Sequence, residues 1–156
     1  MDYTGFTVLP DSFRRSCLAI SCQYQIVIIM TGKNYNTSLF FLLSHAFLSI
    51  VWNLIGLWLL SQGKQALGPT ATDAAIVLFL LLSIGYIASS RKGYSIIYLV
   101  LACIGAALAC YAIIGGLTKD HGLWPSEFWR YAGMAVNVLG VIGFISGVKA
   151  FVIERR

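Results

Sequence analysis

The feature that most constrains this chain is four long apolar runs almost empty of charge. Residues 38–60 read SLFFLLSHAFLSIVWNLIGLWLL, with no formal charge while His45 is neutral. As a helix this run rises about 34 Å, enough for a hydrocarbon core of about 30 Å. Residues 74–90 form the shortest run, and residues 94–117 are again uncharged. Residues 128–151 carry only Arg130 and Lys149, near the two ends, where long side chains are expected to snorkel toward headgroups. In lipid the backbone must satisfy its own hydrogen bonds, so continuous runs imply helices. A barrel would show segments of about ten residues with alternating polarity. The expected fold is an all-α integral membrane protein, a four-transmembrane-helix bundle with spans at about 38–60, 74–90, 94–117 and 128–151.

Composition agrees. The 156 residues are 58% hydrophobic and 11% charged, with mean hydropathy +0.80. A soluble domain carries about a quarter charged residues, and this chain has too little polar material to cover a water-facing core. The net charge of +5 does not point to nucleic acid, because the basic residues stand in ones and twos between apolar runs instead of forming a patch.

Those basic residues set an expected orientation. Arg14, Arg15, Lys33, Arg91, Lys92, Lys149, Arg155 and Arg156 fall on one side, against Lys64, Lys119 and Arg130 on the other. The positive-inside rule then puts both termini in the cytoplasm of a cell with an inner (plasma) membrane. Residues 1–37 form the expected cytoplasmic N-terminal segment. Within it, residues 1–29 are too short and too polar in their apolar part for a confident span. They read as an interfacial helix, or as lying upstream of a physiological start at Met30. Residues 38–156 form the expected transmembrane domain.

Within the spans, polar and small residues fall into stripes. His45, Ser49 and Asn53 recur every four residues and Gly56 continues the line, so they share one helix face. Such a stripe has two readings: hydrogen bonding between helices, or a redox or proton role for His45. His45 is thereby a weak cofactor candidate, but its only possible histidine partner, His121, falls on the opposite side of the membrane. Packing is the favoured reading, and no cofactor is expected. The fourth run carries Gly133, Asn137, Gly140, Phe144 and Gly147 on one face, with a GxxxG at Gly143 and Gly147. The third places Ala102, Gly105, Ala109, Ala112 and Gly116 together. Small residues let helix backbones approach closely, so these faces are expected to meet in one interior, with Asn53 and Asn137 bonding each other. Asp73 is expected to cap the second helix. Cys103 and Cys110 are expected to pack between helices as buried thiols.

Chemistry-bearing motifs are absent. There is no nucleophile elbow, no phosphate-binding glycine loop and no HExxH. Asp120, His121 and Glu127 share a loop but match no metal-ligand spacing. No acidic residue lies inside a span, which removes the carboxylate on which small multidrug transporters depend. The resulting expectation is a non-enzymatic membrane protein acting by helix–helix contact, as an accessory, assembly or immunity/stress-type protein. Its partners are the lipid bilayer, a second copy or a larger membrane complex. The alternative is a small oligomeric transporter or channel for a neutral solute.

Overall fold

A computed structural model describes the backbone of residues 11–69, 71–91 and 95–154, and the side chains of residues 35–69, 71–90 and 95–153. It contains four helices in chain order: α1 (Asp11–Ser61), α2 (Asp73–Arg91), α3 (Ser95–Thr118) and α4 (Glu127–Glu154). A 3-10 turn, His121–Leu123, lies in the loop between α3 and α4. There is no strand among the described residues. Each helix contains a segment long and apolar enough to cross a membrane, Tyr35–Ser61, Asp73–Ser90, Ser95–Thr118 and Glu127–Ile153. These are close to the four runs read from the sequence. The backbone of α1 is helical from Asp11, but its side chains before Tyr35 lie outside the described residues. Of residues 1–29, on which the sequence left alternatives open, residues 1–10 lie outside the described residues and 11–29 are helical and continuous with the first apolar segment.

The helices pack in cyclic order, α1 against α2, α2 against α3, α3 against α4 and α4 against α1. The closest seam joins α1 and α4, and its register follows from glycine. A Cβ at Gly147 would meet Ser38, one at Gly143 would meet Leu42, one at Gly140 would meet the His45 ring, and one at Gly133 would meet Trp52. The spacings of four, three and seven on α4 are mirrored on antiparallel α1. This is the alternating spacing by which two helices keep one seam in contact. Hydrogen bonds pin the seam. The Ser38 hydroxyl donates to the Gly143 carbonyl (2.7 Å) and accepts from the Tyr98 hydroxyl (2.8 Å), tying α1, α4 and α3 at one point.

At the end of the bundle where α2 finishes and α3 begins, Leu42, Leu82, Tyr86, Tyr98 and Ala102 form a buried core cluster. Tyr86 lies over Gly105, which has no side chain to obstruct it, and its hydroxyl donates to the Leu101 carbonyl (3.3 Å). Large apolar side chains project outward from every helix, among them Phe47, Trp58, Leu81, Ile97 and Phe128. A water-soluble monomer rarely exposes contiguous apolar surface on this scale.

Local ends follow ordinary capping chemistry, and one expectation about the faces is overturned. α1 closes in a Schellman motif, in which the Lys64 amide bonds the Leu59 carbonyl and the Gly63 amide bonds the Leu60 carbonyl (both 3.0 Å). Gly63 takes φ +70° there, a conformation that suits glycine. The N-cap of α2 is Thr72, whose hydroxyl accepts from the Ala75 amide (3.2 Å). Asp73 follows it, and its carboxylate accepts from the Ala74 amide of the first turn as expected (2.8 Å), so the two residues share the capping. The expected burial of Cys103 and Cys110 is corrected, since both are exposed. Alanines and glycines at 102, 105, 106, 109 and 116 occupy the inward face of α3, and the thiols fall on the outer one.

Candidate functional site

The stripe on α1 and the glycine face on α4 meet. His45 is 1% exposed, and its Nε2–H donates to the Asn137 carboxamide oxygen (3.2 Å). The Asn137 amide nitrogen in turn donates to the Gly133 carbonyl (2.7 Å). The edge of the His45 ring meets Phe79 (centroids 5.3 Å apart). Gly140 passes so close that a Cβ there would lie 2.7 Å from Nδ1. The ring is thus enclosed on the α4 side, and Nε2 is already occupied.

Asn53 does not bond Asn137. Its amide nitrogen donates to the Ser49 carbonyl (2.8 Å), and its oxygen accepts from the Thr72 amide (3.1 Å). Asn53 therefore ties the start of α2 back to α1. Gly56 assists, because the Ala71 methyl lies where a side chain would be. Ser49, Gly143 and Gly147 are also buried in the seam.

Arg130 is the largest departure. The sequence places it near a membrane surface with its head free to snorkel, yet it is 7% exposed. Its Nε donates to the Gly116 carbonyl (2.5 Å), and another guanidinium nitrogen approaches the Leu117 carbonyl (3.4 Å). These are carbonyls of the last turn of α3, which lack helical partners and carry the negative end of the helix dipole. The guanidinium also donates to His121 Nε2 (2.7 Å) and pairs with Glu127 (3.2 Å). His121 Nδ1–H donates to the same carboxylate (2.5 Å). Asp120 stands apart, accepting from the Gly122 amide (2.9 Å). Among the described residues no three histidine, cysteine or carboxylate groups converge as a metal site.

These tethers open a cavity. At the loop end, Asn53 and Gly56 hold α2 to α1, while Arg130 and the Gly116–Met134 contact hold α3 to α4. The contacts between α2 and α3 sit at the other end, around Gly85, Tyr86, Tyr98 and Leu101. The two helix pairs therefore diverge toward the loops. They leave a cavity of about 530 Å³ lined by side chains from all four helices, within the usual range for small-molecule sites. Its floor is Phe79 and Leu108, which also pack on the core cluster. Leu78 and Tyr111, the latter 64% exposed, flank the side facing out between α2 and α3. Above, Gln65 bonds the Gly122 carbonyl (2.7 Å) and joins the two loops.

Asn53, Asn137 and Ser49 line this cavity, as the stripe reading would require of a path, but so do residues to which the sequence gave no inward role: Trp52, Phe79, Tyr111, Lys119 and Trp124. The one available signal was the spacing of Tyr111 and Gly115 along one face of α3, continued by Lys119 just past its end. No protein-family model, curated protein or solved structure matches this chain.

Proposed function

We propose that this chain is a four-pass protein of the inner (plasma) membrane, with both termini in the cytoplasm, that performs no catalysis and acts by contact as an accessory, assembly or immunity/stress-type protein. Insertion is supported by the large apolar side chains exposed on all four helices, which lipid solvates and water does not. The orientation rests on the basic residues. Of the three on the side of the 62–72 and 119–126 loops, Arg130 is turned into the bundle as a helix cap, which lowers the free positive charge there further.

The observation that carries the contact reading is the use of the polar groups. Ser38, His45, Asn53, Asn137 and Arg130 all bond neighbouring helices, loops or free carbonyls, and no buried polar side-chain atom among the described residues lacks a partner. They serve as scaffold. The glycine face of α4 is consumed inside the bundle, so a partner would meet the outward apolar faces instead. The cavity favours a second reading, passage of a small neutral solute. Its closed floor at Phe79 and Leu108 makes it suited to holding a molecule more than to passing one.

The test is purification of tagged protein from native membrane in mild detergent, with mass spectrometry of what accompanies it. A stoichiometric partner, lost when outward residues such as Phe47 and Phe128 are replaced together by serine, is the expected result. A partner-free homo-oligomer that carries neutral solute in proteoliposomes would overturn the contact reading.

A further inference from the structure

The cavity carries an inference about its occupant, resting on the membrane-spanning reading and not on the contact role. Its lining combines an apolar body with a one-sided charge. Leu78, Phe79, Leu108, Ala112 and Met134 supply the body, and no carboxylate lines it. Two cations do, and they differ. Arg130 is neutralised by Glu127 and by the carbonyl end of α3. Lys119 has no carboxylate partner among the described residues.

The Lys119 side chain also takes an informative path. It folds back along α3 instead of extending away from the bundle. Its stem lies within 3.7 Å of where a Gly115 side chain would begin, and its ammonium sits 5.8 Å from the Tyr111 ring centre. Gly115 gives the stem room, and the ring face attracts the cation. The positive charge is thereby held beside the gap between α2 and α3, above an apolar cavity that faces outward at bilayer depth. An amphiphile uses both parts of that arrangement, the apolar body and the charge beside it.

We propose that the cavity binds an anionic amphiphile, its apolar chain entering sideways between α2 and α3 and its phosphate or carboxylate head resting on the Lys119 ammonium. An anionic phospholipid and a free fatty acid share this chemistry, and the test separates them. Full-length protein, purified in dodecyl maltoside and stripped of lipid, is titrated in parallel with phosphatidylglycerol, phosphatidylcholine and oleate. Bound molecules are counted by native mass spectrometry.

The expected result is one saturable site, filled by phosphatidylglycerol or oleate at roughly tenfold lower concentration than by phosphatidylcholine, as one charge-assisted contact implies. Whichever of the two fills it names the source. Lys119→Gln should erase the preference, and Lys119→Arg should keep it. Ala112→Phe, which puts a ring into the cavity, should remove the site for all three. Leu78→Trp, at the mouth, serves the same purpose if Ala112→Phe does not keep its helical circular dichroism. Equal filling by phosphatidylcholine overturns the proposal. So does a preference that survives Lys119→Gln, or binding untouched by the cavity variants. The membrane reading fails separately and earlier, if the chain leaves the membrane pellet on alkaline carbonate washing.

Discussion

At the residue scale, the seam between α1 and α4 separates two kinds of close contact. A Cβ on Gly140 would press on the His45 ring alone, a side chain that can be removed, whereas one on Gly143 would meet the Leu42 side chain at 2.8 Å and also its backbone nitrogen at 3.0 Å, which no substitution removes. Gly140→Ala and Gly143→Ala are each expected to destabilise the bundle by about 1–3 kcal/mol through overpacking. Adding His45→Ala should recover more of the Gly140→Ala loss than Leu42→Ala recovers of the Gly143→Ala loss, because the backbone contact persists in the second pair. Thermal melts in detergent read both comparisons, and equal rescue in the two pairs would contradict the geometry. The same seam alters the meaning of GxxxG here. Leucine at Gly143 or Gly147 would break the fold itself, so loss of a partner in such a variant would say nothing about the partner's binding surface.

At the scale of elements, the bundle depends on how helix ends are closed. Arg130 reaches from the first turn of α4 to the last turn of α3 and there replaces the missing amide donors. Arg130→Gln is expected to speed hydrogen exchange over residues 115–123, where the loop hangs from this contact. Arg130→Lys should restore little, because a single ammonium cannot span the Gly116, Leu117 and His121 acceptors in one plane. Unchanged exchange in Arg130→Gln would show that the loop is held by the Gln65–Gly122 bond instead. Thr72→Ala is expected to cost about 1 kcal/mol as a lost N-cap. Asp73→Ala should cost less, since its carboxylate bonds only the adjacent amide. Chemical denaturation in mixed micelles compares the two.

At the scale of the whole molecule, orientation is the property most open to direct test. In a background with Cys17, Cys22, Cys103 and Cys110 replaced by serine, a single cysteine at Lys64 should react with a membrane-impermeant maleimide in intact cells. One at Arg91 should react only after the cells are opened. The reverse pattern would invert the topology. A cleft that opens sideways also gives α2 a distinct place in the assembly. Its Asp73–Ser90 segment is the shortest of the four spans at 18 residues, and it is tied to α1 at the loop end. It forms one wall of the cavity without closing it.

What the sequence determined by itself is what depends on solvent. Apolar runs without charge have one backbone solution in lipid, so the number of helices and the rough limits of their apolar segments were legible in 38–60, 74–90, 94–117 and 128–151, but the extension of α1 back to Asp11 was not. Helical periodicity likewise grouped His45 with Ser49 and Asn53, and Gly133 with Gly140 and Gly147, because residues three, four and seven apart share a face whatever the partner. The partners of those faces were not legible. The sequence put Asn53 and Asn137 at similar depths, but the register that sets Gly133 against Trp52 and Gly140 against His45 offsets them, giving one to Thr72 and the other to His45. Arg130 looked like a surface charge until the end of α3 was brought beside it. The thiols of Cys103 and Cys110 were displaced outward because smaller residues had already taken the inward face. The cavity was least legible, since it is bounded by tethers between elements far apart in the chain. Local pattern determines a helix and its faces, but only the tertiary arrangement decides which faces touch and where they part.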